Sequence, residues 1–253
     1  MTAHEIDPVV AALGALRHTT PPALDDKLFT GWLTAPSRIG AVFVAFTGAG
    51  VQFVRSTDAL DRDPSAFARA YRHRFGRPLR AADRAPAGLL AVLRGRRGPT
   101  PPLDLGGLSD FERNVLAVTR TIPTGETRPY GWVAREAGNP RAVRAAASVL
   151  ARNPVPLLVP CHRVVRADGG IGRYLFGAEH KEALLRTENT NLDDVAECAR
   201  RGVHYLGSDT TGIVCFPTCR HARRITPAHR VGFATPADAS AAGYRPCRAC
   251  RPA

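Results

Sequence analysis

Lysine is nearly missing from this sequence. Lys27 and Lys181 are the only two, so almost every cation is an arginine. Forked guanidinium groups suit phosphate recognition, and a GC-rich genome also favours arginine together with alanine, glycine and proline. The second explanation covers the choice of arginine but not the excess of bases over acids. A formal net charge of +13 points to a polyanionic partner. Also absent is any apolar run near the roughly 18 residues a membrane helix needs. The N-terminus lacks a basic region followed by an apolar core, so no secretory signal is visible. A soluble, cytoplasmic protein is therefore expected. Cysteine is sparse, six in 253 residues, and in a reducing compartment such residues serve metals or nucleophilic chemistry before disulfides. The length accommodates two domains or three small ones.

The run Val9–Leu16 followed by Thr19-Thr20-Pro21-Pro22 predicts one helix and a loop. Ile39 to Phe46, then Gly48-Ala49-Gly50, then Val51 to Val54, predicts a β-hairpin. Asp63-Pro64 opens a helix that carries Phe67, Tyr71 and Phe75 on one face and stops at Gly76. Pro86 opens another, with Leu89, Leu90 and Leu93. This is an α/β unit without evident chemistry, and His73 with the arginines around it reads as a solvated face. Gly98-Pro99-Thr100-Pro101-Pro102 has the composition of a linker.

Ser109 and Glu112 are spaced as a capping box ahead of Phe111, Val115 and Leu116. That helix ends at Ile122-Pro123-Thr124-Gly125. Tyr130 to Ala137 makes a short helix, and Gly138-Asn139-Pro140 turns the chain, with Asn139 as N-cap and Pro140 at the first helical position. A second helix runs from Arg141 to about Ala151. Helix, short glycine-containing turn, helix is a helix-turn-helix pattern. Val143, Ala146, Ala147 and Leu150 should face the core, while Arg141, Arg144 and Ser148 fall on another face. The alanines keep this helix thin enough to approach a surface closely. An ordinary packed helix pair fits the pattern equally well.

The chain is organised around Leu157-Leu158-Val159-Pro160-Cys161-His162-Arg163-Val164-Val165. Pro160 removes a backbone donor, so this is no ordinary central strand. An extended, kinked segment delivering Cys161 under a pocket is expected. Neighbours on an extended chain point apart, so Cys161 and His162 should communicate through a water or a turn. A buried cysteine packed as a small hydrophobe would look the same on this stretch alone.

Further on, Cys215-Phe216-Pro217-Thr218-Cys219 and Cys247-Arg248-Ala249-Cys250 form two close cysteine pairs with a small subdomain between them. That is the spacing of a tetrahedral zinc site, and a segment this small needs such a staple. Cys198 falls outside the pattern and reads as a helix-packing residue. His204, His221 and His229 are alternative ligands, but four cysteines already complete a shell. Thr187 to Asp194 reads as a linker into a short helix whose acids and bases match its dipole.

The Pro160-Cys161-His162-Arg163-Val164 core has telling flanks. They are Asn153-Pro154-Val155-Pro156, Gly172 to Gly177, Lys181 and Glu188, Thr124 to Tyr130, and Gly138 to Arg144. Together these resemble the O6-alkylguanine-DNA alkyltransferase family from about Ser109 to Glu188. The resemblance implies an α+β multidomain protein. Residues 1–102 would form a ribonuclease-H-like α/β structural domain with its linker. Residues 103–188 would be a winged-helix-like alkyltransferase domain with the helix-turn-helix, and residues 189–253 a linker and zinc domain. It implies a monomer acting on double-stranded DNA in the cytoplasm, at the nucleoid. An alkyl group, methyl above all, would pass once from O6-alkylguanine, and from O4-alkylthymine, to Cys161, in the manner of a methylated-DNA–protein-cysteine methyltransferase. His162 would take the thiol proton through a water, Glu188 would orient the imidazole, and Asn153 would bridge the turn. Tyr174 would donate to the departing guanine. Tyr130 would crowd the phosphate, and Arg144, beside Arg141 and Ser148, would fill the gap left by the flipped base. Arg173, Leu175 and Phe176 are expected to narrow the pocket in favour of methyl over benzyl adducts.

Thr210 to Cys215 and Gly243 to Cys247 resemble the zinc domain of the adaptive-response (Ada) protein, where it precedes the alkyltransferase; here it follows. The resemblance implies zinc held by Cys215, Cys219, Cys247 and Cys250, with Cys215 a candidate second methyl acceptor from DNA methylphosphotriesters. Phe216 stands where that protein carries arginine. From Val195 onward nine arginines face three acids, a net of +6 before the metal site. Loss of one thiolate charge beside DNA would then tighten binding. A structural zinc module that merely adds DNA affinity stands as the plainer alternative, and a methylation-responsive regulator or lesion sensor as the alternative function.

Overall fold

The computed structural model describes residues 28–96 and 98–252. The helix expected over Val9–Leu16 and the loop after it lie outside the described residues. Strands β1 (Thr30–Ser37), β2 (Gly40–Thr47), β3 (Gly50–Ser56) and β4 (Leu79–Ala81) form a sheet in the order β3-β2-β1-β4. β1, β2 and β3 are antiparallel neighbours, and β4 joins β1 in parallel. The hairpin expected from the sequence is β2–β3. Strand β1 was not anticipated, because Gly31, Pro36 and Ser37 break any simple alternation, and it pairs with β2 from Gly31 to Ser37.

Alternation in β2 and β3 splits the sheet into two faces. Phe43, Ala45 and Phe53 face helix α1 (Pro64–Phe75) and meet Phe67 and Tyr71 in an aromatic cluster. Asp63 caps α1 by accepting from Ser65 and Ala66, and Gly76 ends it in the left-handed region. Val42, Val44 and Val54 face the other way, into a core continuous with the next unit. Each fully buried Val or Phe here contributes about 1.5–3 kcal/mol of transfer free energy.

After helix α2 (Leu89–Leu93), the proline-rich stretch read as a linker lies along β3. Val51 N–H donates to Pro102 O at 2.9 Å and Asp104 N–H to Val51 O at 2.9 Å. Gly50 makes this approach possible: a Cβ there would sit 2.3 Å from the Pro102 carbonyl oxygen.

Helix α3 (Asp110–Arg120) opens with the expected Ser109–Glu112 capping box. α4 (Tyr130–Glu136) and α5 (Val143–Ala151) follow, packed on α3 and on each other. α5 starts two residues later than expected, because Asn139–Ala142 form a turn in which Ala142 N–H donates to Asn139 O at 3.0 Å. Its buried face also differs from the one expected. Ala146, Val149 and Leu150 are buried, whereas Val143 is 37% exposed instead of packed. β5 (Arg128–Pro129) pairs in parallel with β6 (Val164–Val165), tying the chain before α4 to the segment after Cys161. Helix α6 (Ala178–Thr187), unanticipated, ends with Glu188 at its C-cap.

Helix α7 (Leu192–Arg200) leads into a second sheet of β7 (Tyr205–Ser208), β8 (Ile213–Cys215), β9 (Arg230–Phe233) and β10 (Arg245–Pro246), ordered β10-β8-β7-β9. Helix α8 (Pro236–Ala241) sits between β9 and β10, capped by Thr235 and Asp238. This unit is docked on the preceding one. Thr127 N–H donates to Thr218 Oγ1 at 2.8 Å, Arg220 N–H to Glu126 Oε1 at 3.1 Å, and Arg251 pairs with Glu136 at 2.8 Å. Phe216 is buried beneath the Arg128 guanidinium, 5.4 Å from its ring centre. Among the described residues no helix is long and apolar enough to cross a membrane.

Candidate active site and metal centre

Asn153, fully buried after the C-terminus of α5, organises the turn that presents Cys161. Its Oδ1 accepts from Val155 N–H at 3.0 Å, and its Nδ2 donates to Val159 O at 3.1 Å and to Cys161 Sγ at 3.2 Å. These bonds hold Leu157 at φ +73°, a left-handed conformation costly for a branched side chain. The expected extended segment is not what forms. Pro160, at φ −79° and ψ 62°, makes an inverse γ-turn in which Cys161 N–H donates to Val159 O at 2.8 Å. Cys161–Arg163 then form one 3₁₀ turn. The N-terminal sheet braces the same turn: Val54 N–H donates to Pro154 O at 2.8 Å, and Arg55 donates to the carbonyls of Val54, Asn153 and Pro154.

Cys161 is 5% exposed. Burial pushes its thiol pKa up, while the Asn153 hydrogen bond and the Lys181 charge pull it down. His162 is fully buried, and burial lowers its pKa against the opposing influence of Glu188. A carboxylate only accepts hydrogen bonds. The 3.1 Å contact between His162 Nε2 and Glu188 Oε1 therefore places the ring proton on Nε2. Nδ1 is left as a buried acceptor without a protein partner. Burial alone would raise the Glu188 pKa, but hydrogen bonds from His162 and Arg163 hold the carboxyl well below its usual range. Arg163 donates Nε to Oε2 at 2.7 Å and a terminal nitrogen to Oε1 at 2.9 Å, and Arg38 donates to Oε1 at 2.6 Å.

Tyr174 stands edge-on to His162, ring centres 6.1 Å apart, and to Phe176 at 5.5 Å. Its hydroxyl is buried without a partner, and burial together with Cys161 raises its pKa well above the usual value. Phe176 is buried, Leu175 half-buried and Arg173 exposed. Lys181 is fully buried, donates to Val164 O at 2.6 Å and Arg173 O at 3.3 Å, and lies 5.9 Å from the centre of the Tyr130 ring. Burial lowers its pKa to about 8. Arg144 and Ser148 are exposed on α5 and Arg141 is exposed in the turn before it, so its placement on that helix is not what forms; neither arginine is paired among the described residues.

Cys161, His162, Glu188, Asn153 and Tyr174 therefore come together, with Lys181 linking them to the Tyr130 ring. Arg38 and Arg163 were missed as partners of Glu188. Arg163 lay inside the motif, and only its direction was unknown. Arg38 carried no local signal.

The second centre is Cys215, Cys219, Cys247 and Cys250, all buried, with sulfurs within 4.8 Å of one another. Contact with the Cys219 and Cys250 sulfurs raises the thiol pKa of Cys215, whereas contact with Cys215 and Cys250 lowers that of Cys219. Sulfurs this close cannot all ionise without a cation among them, and four thiolates in this arrangement suit zinc. The set is the four cysteines expected from the sequence, and the alternative ligands His204, His221 and His229 are not part of it. A cavity of about 890 Å³ opens beside it, lined by Cys215, Cys247, Thr211, Arg224, Arg245 and Arg248.

A mixed α/β alkyltransferase-like fold, with a guarded thiol in one unit and a cysteine cluster in the next, is the class of protein these features define. Residues 110–190 match the family described as 6-O-methylguanine DNA methyltransferase, DNA binding domain, and residues 196–253 match the metal binding domain of Ada. The bifunctional transcriptional activator/DNA repair enzyme Ada of Escherichia coli is 45% identical over 121 residues, covering 44% of this chain and 34% of that protein. A methylated-DNA–protein-cysteine methyltransferase of Methanothermobacter thermautotrophicus is 46% identical over 91 residues, 36% of this chain and 51% of that protein. The chain thus spans a third to a half of the length of these curated relatives. The crystal structure of Mycobacterium tuberculosis OGT in complex with DNA superposes with a TM-score of 0.50 at 31% identity, over 66% of this chain and 99% of that one. The chain belongs to the O6-methylguanine-DNA methyltransferase family and carries an Ada-type metal-binding module, whose cofactor is zinc.

Proposed function

We propose that this protein repairs DNA by direct reversal, transferring the alkyl group of O6-alkylguanine, and of O4-alkylthymine, to Cys161 in a single turnover. One observation carries the reading. A buried thiol is held by Asn153, beside a buried imidazole whose Nε2 is committed to Glu188 and whose Nδ1 is open to accept. In the reaction the Cys161 proton passes through a water to His162 Nδ1, and the sulfur attacks the alkyl carbon. The carbon–O6 bond breaks, its electron pair stays with the guanine, and the Tyr174 hydroxyl supplies a proton so that the base leaves neutral. The thioether has no hydrolysis route. Glu188 orients His162 and stabilises the imidazolium that forms.

A target atom inside a duplex requires the nucleotide to be turned out. The exposed, unpaired Arg144 on the thin α5 is suited to replace the base, Tyr130 to crowd the phosphate, and Arg141 and Ser148 to contact the backbone. In this reading residues 1–102 are a ribonuclease-H-like support. Residues 103–188 are the winged-helix-like catalytic unit, and residues 189–253 carry the zinc module. The protein works as a monomer in the cytoplasm, at the nucleoid. Four cysteines at 215, 219, 247 and 250 hold the zinc, which keeps their sulfurs deprotonated when bound. The arginine-lined cavity beside Cys215 supports backbone-phosphate binding there, and with it methyl transfer from phosphotriesters to Cys215. Phe176 against Tyr174 supports a narrow pocket that favours methyl over benzyl.

Peptide mass mapping after incubation with duplexes carrying O6-methylguanine or methylphosphotriesters tests this. A methyl group on Cys161 from the first, lost in Cys161→Ser, is expected. An unmodified Cys161 after complete incubation refutes the assignment.

A further inference from the structure

Glu188 belongs to the catalytic unit, yet the shortest contact to its carboxylate comes from elsewhere. Arg38 sits in the tight connection between β1 and β2, 150 residues away in the chain. Its backbone is anchored by donation to Leu93 O at 3.1 Å. Its side chain runs over Gly95, where a Cβ would come within 2.6 Å of Arg38 Cδ, so the absence of a side chain there opens the path. It reaches Glu188 Oε1 at 2.6 Å, with side-chain exposures of 13% and 2% for the pair. A contact this well buried is not an exposed surface ion pair of negligible worth.

Arg163 already neutralises Glu188 with two hydrogen bonds. Arg38 adds a second cation to one carboxylate, so the group hydrogen-bonded to His162 Nε2 carries a net positive charge. Arg96 and Arg120 line the same cavity behind it, of about 400 Å³, and add to that sign. On the other side His162 faces Tyr174, and Cys161 precedes it, with Lys181 and Arg55 acting on the thiol. Excess positive charge behind the imidazole opposes its protonation at rest. That keeps Nδ1 free to accept the thiol proton.

We propose that Arg38 is a positioning residue for alkyl transfer: by clamping Glu188 from the N-terminal sheet it fixes the His162 ring, making that sheet a working part of the site. This rests on the alkyl-transfer reading above. The geometry also makes the docking of the sheet and the competence of the site one event, since β3 braces the Asn153–Pro154 turn while Arg38 holds the carboxylate.

The test uses the full chain with Arg38→Gln, Arg38→Met and Arg38→Lys, and two readouts. The first is the titration of the His162 imidazole by NMR without DNA. The second is the rate constant of methyl transfer from an O6-methylguanine duplex across pH. From the two contacts, Arg38 lies no more than about 6 Å from His162 Nε2. At effective dielectrics from that of water down to about 20, removing its charge raises the His162 midpoint by about half a unit to two units. The acid limb of the transfer profile moves up by the same amount in Arg38→Gln and Arg38→Met, and Arg38→Lys restores it. Two charge-removing variants are made so that a folding failure in one leaves the other to decide. A His162 titration and an acid limb unchanged in the folded variant overturn the proposal. If the parent transfers no methyl at all, the function reading fails, while the titration still decides the role of Arg38.

Discussion

Replacing Asn153 by alanine removes three buried hydrogen bonds at once and leaves Val155 N–H without a partner, while Val159 C=O keeps only the Cys161 N–H. That orphaned donor costs about 1–3 kcal/mol, and each of the other two lost bonds about 0.5–1.5 kcal/mol. Water admitted to the small space offsets part of this, so a net loss of about 3 kcal/mol is expected, or about 6–12 °C in the melting temperature of a unit this size. The positive φ of Leu157 is strain that those bonds sustain, and its relaxation offsets part of the penalty. A second effect falls on the thiol. A hydrogen bond to a charged group is worth about 1.5–3 kcal/mol, so losing the Nδ2 donor lowers the thiolate fraction of Cys161 about tenfold or more. Thermal unfolding measures the first effect, and the rate of Cys161 alkylation by iodoacetamide, read by peptide mapping, measures the second. Asn153→Asp separates them. Its Oδ1 still accepts from Val155, but an acceptor now faces Val159 O and the sulfur, so reactivity should fall further than stability. An alanine variant that melts with the parent and alkylates at the parental rate would show that the turn is held by other means.

Arg144→Ala should weaken duplex DNA binding about tenfold, at the lower end of the cost of one groove contact, with no change in melting, because the side chain is exposed and unpaired. Equal affinity in a filter-binding or anisotropy titration removes it from the interface. Chelating the zinc should lower the melting temperature of the catalytic unit as well as the module, since Thr218 and Arg220 satisfy Thr127 and Glu126 across their junction. Calorimetry showing an unmoved catalytic-unit transition would refute that coupling. His162 and Glu188 both have folded pKa values below their unfolded ones. Below the unfolded value of about 6.5 for histidine, and then about 4.3 for glutamate, the unfolded chain binds more protons, so their stabilisation is present above that range and lost as pH falls through it. Stability in urea should thus decline from neutral pH toward pH 4. His162→Gln should flatten the upper part of that decline, and an unchanged slope refutes the attribution.

The elements that depend on local chemistry were legible from residues alone. The Ser109–Glu112 capping box, the Asp63–Gly76 helix and the two cysteine pairs each combine near neighbours whose geometry the backbone period dictates. Strand β1 was hidden because its identity as a strand comes from pairing with β2 and β4 rather than from alternation. The inverse γ-turn at Pro160 was hidden because its Val159 carbonyl is also held by Asn153, seven residues upstream of the proline, a contact that local composition does not announce. That Lys181 is buried against Val164 O follows only from the packing of α6.

By itself the sequence determined which atoms are candidates for the chemistry: one thiol beside an imidazole, a carboxylate further on, and four sulfurs at metal spacing. Only the tertiary structure decided how the thiol, imidazole and carboxylate are charged and held. A pKa depends on burial and on cations brought from distant strands, as Arg38 is brought to Glu188. Tertiary packing likewise joined the zinc module to the catalytic unit, through Thr127–Thr218 and Arg128 over Phe216. Contacts between residues this far apart in the chain leave no periodic trace in it, because each side pairs with a surface that exists only once both have folded.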